Sequence, residues 1–309
     1  MVRRDHVMAG LAIILLVIVM VPLFTKYNVN TKTREGQTVN WNGGDDDLSS
    51  ISCPVRLASP NTFPLVPLIS PGGAGNTWTR HLIEQATGFY TGSVYHEKAL
   101  YEGGFVGEFE DYLDGNTLTV KVHCIASIPE TWEAAILLLR NPIDAAIAER
   151  NRRRSRNHVG KATWRKRLGT SKGHYRLFIE ARFKEYESIV KNVLDLHIPT
   201  LVVHYENIKE NSIKEMKRIV NFLNMTMNEQ RELCVKKNSE GNFHRHKSDI
   251  NSPYMTFTDE LKCEAFALMK RVSSLLVKYG HQPSPCLQDH AVSDCDMVVE
   301  SILSVAHCM

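Results

Sequence analysis

The pattern of apolar and polar positions divides the chain into three parts. These are one long apolar run near the start, a polar stretch, and a long segment where short apolar runs alternate with helical periodicity. The first run, Val7 to Phe24, holds 18 residues without a charge and follows Arg3 and Arg4. At a helical rise of 1.5 Å per residue it extends about 27 Å, the core of a thin bilayer. It is longer than a usual signal-peptide core and no small-x-small cleavage site follows it, so it predicts an uncleaved signal anchor. Lys26, Lys32 and Arg34 beyond the span weaken the charge bias. The tip of residues 1–6 is too short for a domain, so the remainder is expected to be luminal, in a single-pass type II arrangement. Residues 25–60 centre on Asn42-Gly43-Gly44-Asp45-Asp46-Asp47 and cannot bury a core, which predicts a flexible stem. Residues 61–309 then form the folded domain.

In that domain four apolar runs read as strands. Phe63 to Ile69 is the first, Leu118 to Cys124 the second, and Ala134 to Leu139 the third, an unbroken run suited to a buried parallel strand. Pro199 to His204 is the fourth. Helical spacing marks the intervals. Trp78, Leu82 and Ala86 lie four apart, with Gly88 placed to end that helix. Asn141 is placed to cap a helix opening at Pro142, and apolar residues recur from Tyr175 to Val193. Ser212 to Leu223 and Thr258 to Lys278 are amphipathic, the latter stopping near Gly280. Thr91 to Gly107 reads as irregular, and Asp114-Gly115-Asn116 as a turn. Strands alternating with helices predict an α/β domain, a parallel sheet with helices on both faces.

Ligands of such sheets bind beyond the carboxyl ends of the strands, where the sequence places polar residues four times. The first strand runs into Ser70-Pro71-Gly72-Gly73-Ala74-Gly75-Asn76-Thr77-Trp78. Strand, glycine loop and helix N-terminus in that order make an anion site. Glycine admits close backbone approach, and the unpaired N–H groups and the helix dipole favour negative charge. A nucleoside-triphosphate loop would end Gly-Lys-Ser/Thr; here Gly75 is followed by Asn76. His123, Arg140 and Tyr205 stand at the other three strand ends.

Charge and cysteine content refine this picture. A formal net charge of +3 implies no large uniform field, and no nucleic-acid partner is expected. The seven cysteines, Cys53, Cys124, Cys234, Cys263, Cys286, Cys295 and Cys308, fit no zinc spacing. In a luminal domain they permit disulfides, with at least one left over and the connectivity open, though Cys286 and Cys295 would close a short loop. Asn224-Met225-Thr226 is a glycosylation sequon. The arginines Arg150, Arg152, Arg153, Arg154 and Arg156 read first as a solvated helix face, with an acidic acceptor or a membrane as the alternative.

The ordered set Gly75-Asn76-Thr77-Trp78, Lys121-Val122-His123, Arg140-Asn141-Pro142, Tyr205-Glu206 and Phe243-His244-Arg245-His246-Lys247 resembles the sulfotransferases that use 3′-phosphoadenosine 5′-phosphosulfate. The similarity spans roughly residues 61–280. Gly75 to Arg80, with Thr87-Gly88-Phe89-Tyr90-Thr91-Gly92-Ser93 after it, is most similar to the WSC-domain-containing sulfotransferases, which include sialate O-sulfotransferases of the Golgi. A cysteine-rich WSC module has no room here, so a short relative is expected.

The resemblance implies a P-loop-like sulfotransferase fold preceded by one transmembrane helix, in the Golgi membrane, acting on a glycan or glycoprotein hydroxyl. Gly73, Ala74, Gly75, Asn76, Thr77 and Trp78 resemble the loop that holds the 5′-phosphosulfate. Arg140 resembles the arginine on the 3′-phosphate, and Tyr205 the tyrosine beside adenine. Arg245 and Lys247 stand for the late basic loop. His123 resembles the acceptor base, with His96, Glu97 and Glu102 as alternatives.

Three positions depart from the family. Its loop lysine aligns with Gly73, its serine eight residues past the arginine is Ala148, and the late loop lacks the Arg-Lys-Gly spelling. Arg80 or Lys121 would supply the missing lysine's charge, Arg80 by leaning back toward the helix N-terminus. Its bland alternative is an exposed pair with Glu84. No metal is implied, because cationic side chains can carry the charge stabilisation that magnesium gives in phosphoryl transfer. An inactive glycan-binding relative and a luminal P-loop-like kinase are the alternative functions.

Overall fold

Pro64 and Pro67 interrupt the first apolar run. Proline has no N–H for the ladder, and strand β1 is therefore confined to Pro67–Ile69, while Phe63 and Val66 are buried ahead of it. In the computed structural model, described over residues 50–124, 132–155, 172–241 and 258–285, β1 is the centre of a five-stranded sheet. The other strands are β2 (Gly92–Ser93), β3 (Val120–Val122), β4 (Ala135–Leu139) and β5 (Thr200–His204), in the order β2-β3-β1-β4-β5 with every pairing parallel.

The apolar runs are unbroken because both faces are covered. Ile69, Val120, Val122, Leu137 and Leu139 point into one core, shared with Ile179, Val190, Leu268 and Val272. The alternate residues Leu68, Ile136, Leu138 and Val203 point into the other, with Leu82, Met216, Ile219 and Val235. The first core is closed by α3 (Pro142–Ser155), α4 (Lys172–Leu194) and α8 (Asp259–Lys278). The second is closed by α1 (Asn76–Thr87), α6 (Ser212–Phe222) and α7 (Glu229–Lys237).

Local chemistry sets two helix ends as the sequence predicts: Gly88 takes the left-handed conformation past α1, and Asn141 Oδ1 accepts from Ile143 N at 3.0 Å. Thr258, read as the first residue of α8, is instead its cap. The interval Thr91–Gly107 differs from its irregular reading. It contains β2, the five-residue helix α2 (Lys98–Glu102) and the start of a 3₁₀ turn, Val106–Phe109. Elements this short carry no periodicity of their own. Helix α5 (Tyr205–Glu210) follows β5 directly.

Part of the expected stem is held against the domain. Arg56 N donates to Gly88 O and Tyr90 N to Arg56 O, both at 3.0 Å. Cys53 is bonded to Cys234 of α7, 181 residues away. Among the described residues Cys124 is free and exposed, and no helix is long and apolar enough to cross a membrane. Val7–Phe24, Arg245, Lys247, Cys286, Cys295 and Cys308 lie outside the described residues. Asn224 is exposed just past α6, with φ 56°.

The Cys53–Cys234 bond closes a long loop, so its removal should be felt. Cys53→Ser is expected to lower stability by about 2–4 kcal/mol in chemical denaturation, and non-reducing peptide mapping should recover the two cysteines in one linked pair.

Candidate functional site

After β1 the chain turns toward β2, and after β4 it goes to β5 on the opposite side, so a crevice opens at the carboxyl ends of β1 and β4. The glycine loop enters it from β1. Gly73 and Gly75 have φ values of 82° and 97°, a region closed to most side chains. Space closes it further. A Cβ on Gly73 would stand 2.1 Å from Ala145 O and 2.8 Å from Glu149 N of α3. One on Gly75 would stand 2.6 Å from the Tyr205 ring. Asn76 does not reach outward: its Nδ2 donates to Leu68 O and Ser70 Oγ, each at 3.1 Å, and so pins the loop's two ends together. The first-turn N–H groups of α1 have no partners within the helix and open onto the same loop.

Arg140, at the end of β4, crosses to the loop. Its Nη1 donates to Gly73 O at 3.1 Å and its guanidinium lies 4.2 Å from the centre of the Tyr205 ring. Its Nε is buried with no hydrogen-bond partner, which leaves a charged donor for an anionic ligand. Tyr205 follows β5 and meets Trp78 with ring centres 5.3 Å apart. Trp78 Nε1 in turn donates to Ser239 O at 2.7 Å. Glu206 Oε1 accepts from Asn141 N at 2.8 Å, tying the ends of β4 and β5 together. The structure thus brings Gly73–Trp78, Arg140 and Tyr205 into one site.

His123 closes the other side, past β3. Its Nδ1 is 2.8 Å from Ser70 O. A carbonyl only accepts, so Nδ1 carries the proton and Nε2 keeps the lone pair. Burial, then the neighbouring Lys121 charge, bring its pKa down to about 4, which keeps the ring neutral at cellular pH. Tyr95 holds it from the side: Tyr95 Oη accepts from His123 N at 2.7 Å, and the rings are 5.5 Å apart.

The two cations expected to replace the family's lysine are both engaged. Lys121 is 2 % exposed, points to the α1 side of the sheet and donates to Glu97 Oε1 at 2.6 Å. Burial lowers its pKa and Glu97 opposes the shift. Arg80 corrects an expectation. Its guanidinium does not return to the glycine loop: Nη1 pairs with Glu108 Oε2 at 2.7 Å, both side chains fully buried, while Nε and Nη2 bond Thr91 at 2.8 and 3.0 Å. The exposed Glu84 pair is not formed either. Glu84 accepts from Thr91 instead, and burial raises its pKa to about 7. Of the alternative bases, His96 stacks on Phe109 and Glu102 pairs with Lys98 in the open, leaving Glu97 beside Lys121.

Several site residues had no sequence signal. Ser70 opens the glycine-loop stretch but carries no sign of orienting His123, Tyr95 stands in no motif, and Glu108 is 28 residues from the arginine it neutralises. Glu149 replaces a solvated arginine face with a clamp. Arg152 and Arg153 both bond its carboxylate, which stays ionised below its usual range because those bonds outweigh burial together. Its carboxyl carbon lies 3.0 Å from where a Cβ on Gly72 would stand, so the clamp abuts the loop. No group of three or more His, Cys, Asp or Glu side chains among the described residues is arranged to hold a metal ion.

A parallel sheet with a glycine loop and helix N-terminus at its central strand, flanked by an arginine, a tyrosine and a neutral histidine, is an arrangement chemically able to accept a phosphate-like anion. The chain belongs to the WSCD family. It is 34 % identical over 228 residues to a WSCD family member of Aedes aegypti, covering 70 % of this chain and 69 % of that one. It is 31 % identical over 235 residues to one of Drosophila melanogaster, covering 75 % and 72 %. No family model matches the chain. Among solved structures it is similar to mouse sulfotransferase SULT7A1 complexed with PAP, with TM-score 0.47, 16 % identity and coverage of 76 % and 91 %. A sulfotransferase from Alicyclobacillus acidocaldarius gives TM-score 0.41, 15 % identity and coverage of 73 % and 98 %. At that level the likeness carries no assignment of function.

Two predictions follow from the geometry. Gly73→Ala should destabilise by about 1–3 kcal/mol or more through strain and overlap with α3, and Gly73→Lys more still, so a lysine cannot be restored there. Gly72→Ala, which meets only the Glu149 side chain, should cost less; thermal melting of the three variants checks the order. The second concerns His204, 4 % exposed at the end of β5 with neither ring nitrogen hydrogen-bonded. Burial, then Arg218, lower its pKa from 6.5 to about 4. The unfolded chain therefore binds a proton in that window that the folded one refuses. Its contribution is complete above pH 6.5 and is lost as pH falls toward 4, a change of about 3 kcal/mol. His204→Leu should flatten that loss, measured as denaturant midpoints at neutral and acidic pH.

Proposed function

We propose that the protein is a sulfotransferase that moves the sulfuryl group of 3′-phosphoadenosine 5′-phosphosulfate to a glycan hydroxyl. Sialic acid is the acceptor that the family resemblance favours. The observation that carries the reading is Arg140: a buried guanidinium Nε without a partner, beside the glycine loop and over Tyr205. A guanidinium fork matches phosphate oxygens, so Arg140 takes the 3′-phosphate. Gly73–Trp78 take the 5′-phosphosulfate through backbone N–H groups, and Tyr205 and Trp78 flank the adenine. Arg245 and Lys247, outside the described residues, stand for the family's late basic loop by resemblance alone.

The reaction balances with this chain's groups. The acceptor oxygen bonds to sulfur while the bond from sulfur to the phosphate oxygen breaks. The hydroxyl proton passes to His123 Nε2, and 3′,5′-adenosine bisphosphate leaves. A neutral, carbonyl-oriented imidazole is the form such a base needs, and its lowered pKa makes it a weaker acceptor than one matched to the working pH. With Arg80 committed to Glu108, Lys121 is the cation left from the expected pair to balance charge on the leaving oxygen.

Golgi membrane anchoring through Val7–Phe24, with a luminal domain, completes the proposal. The Cys53–Cys234 bond supports an oxidising compartment. A second reading, a nucleotide-binding relative without turnover, is favoured by one observation: Arg80 and Lys121 each already hold a carboxylate.

Calorimetry with 3′,5′-adenosine bisphosphate and with ATP, followed by labelled donor over a glycan array, separates these readings. Tight binding of the bisphosphate with label on glycans supports the enzyme, and binding without transfer supports the second reading. A preference for ATP overturns the sulfotransferase reading. Arg140→Ala should weaken the bisphosphate by about 1.5–3 kcal/mol and adenosine 5′-phosphosulfate, which lacks the 3′-phosphate, much less. Equal losses would mean a folding role.

A further inference from the structure

The buried pair Arg80–Glu108 costs desolvation on both sides, and nothing in the nucleotide crevice uses it directly. Its other contacts show where it acts. Glu108 has two carboxyl oxygens: Oε2 holds Arg80 at 2.7 Å, and Oε1 accepts from the backbone N of Glu97 at 3.2 Å. Glu97 then holds Lys121 through its side chain at 2.6 Å. Two residues earlier, Tyr95 accepts from His123 N, and its ring lies 5.3 Å from Lys121 Nζ. The segment Tyr95–Glu97 therefore grips both functional residues of β3.

That segment is strained. His96, between the two gripping residues, has φ 49°, a conformation that costs a non-glycine residue energy and persists only where its surroundings enforce it. Neighbouring contacts enforce it: Tyr95 is bonded to His123, Glu97 is bonded at both its N–H and its carboxylate, and the His96 ring is stacked 5.9 Å from Phe109, next to Glu108. Glu108 is fully buried, so its position is fixed by Arg80. Arg80 is fixed in turn by Thr91 and by the Phe105 ring, 4.7 Å from its guanidinium.

We propose that Arg80 and Glu108 are positioning residues of the transfer reaction, an internal tether that runs from the helix behind the nucleotide loop to Tyr95–Glu97 and so sets Lys121 and His123. The assignment rests on the sulfotransferase reading for what Lys121 and His123 do, but the tether itself does not. The groups that face Lys121 are Glu97, Glu108, Arg80 and His123, with the Tyr95 ring beside it. Glu97 is the one that opposes desolvation by direct contact, and a loosened Glu97 lets the Lys121 pKa fall further.

The full chain tests this with Glu108→Ala and Arg80→Ala, Arg80→Lys as the conservative variant, and Glu97→Gln as reference. Hydrogen exchange is expected to rise about tenfold or more at Tyr95–Lys98 in Glu108→Ala, while β1 and α1 keep their protection. NMR of lysine-labelled protein should show the Lys121 pKa lowered in Glu108→Ala as it is in Glu97→Gln. Turnover should drop about 10²-fold in both alanine variants, with adenosine bisphosphate affinity within about threefold, and Arg80→Lys should recover most of it. Unchanged exchange at Tyr95–Lys98, or a loss of protection spread evenly over the domain, overturns the tether, as does an unshifted Lys121. A wild-type protein that binds no adenosine bisphosphate and transfers no label sinks the sulfotransferase reading alone, because exchange and titration still decide the tether.

Discussion

Backbone against backbone, with no room for a Cβ, is the contact on which the site depends. Gly73 lies so close to the first turns of α3 that a methyl group would overlap Ala145 O. Arg140 then reaches the same residue, donating to Gly73 O from the start of that helix. Loop, strand end and helix are therefore one rigid unit, and their relative positions follow from the missing side chain. The sequence resemblance to sulfotransferases puts their loop lysine at this glycine. Its absence is not a gap waiting for a lysine: the space it would need is occupied by main chain. Any cation that serves the loop must come from another element, and the cost of placing one depends on what neutralises it.

That cost explains the pattern of buried charge around the sheet. Burial of a charge demands a partner, and around the sheet Glu108 supplies one for Arg80, Glu97 for Lys121, and Arg152 and Arg153 together for the buried Glu149. The pairs differ in exposure, and the difference separates their roles. Arg80 and Glu108 are both 0 % exposed and can only hold. Glu97 is 30 % exposed while its lysine is 2 % exposed, so this pair meets solvent through the carboxylate alone.

The architecture was largely legible in the sequence because its signals are local. Both-face burial makes Ala135–Leu139 an unbroken apolar run, Gly88 and Asn141 mark helix ends by backbone geometry and capping, and the 3.6-residue period exposes α1, α4, α6 and α8. The strand-end rule also located Arg140, Tyr205 and His123 without any contact known. What stayed hidden is decided between segments. β2 has two residues and exists only by pairing with β3. The partners of Arg80 are 11 and 28 residues away, and those of Lys121 and Cys53 lie 24 and 181 away. Helical spacing offered Arg80 only Glu84 or the loop, and neither took it. Spacing rules describe one element at a time, while these bonds depend on how α1 packs over the edge of the sheet.

Burial pulls His123 and Lys121 in the same direction but with opposite consequences. Both lie at the end of β3, and desolvation lowers both pKa values. For a proton acceptor that keeps the ring neutral, with its Nδ1 proton on Ser70 O and one lone pair to offer, but it also weakens the base. For a cation it is harmful, since a neutral amine stabilises no leaving oxygen. Each group also worsens the other's cost when charged. A site that needs a neutral histidine beside a charged lysine therefore requires a carboxylate bonded to the lysine, with the histidine held by uncharged groups. Glu97 meets that requirement: its carboxylate bonds Lys121 Nζ, while His123 is held by uncharged groups, Ser70 and Tyr95. The asymmetry of those contacts, rather than the identity of the two residues, is what lets one strand end present a base and a cation together.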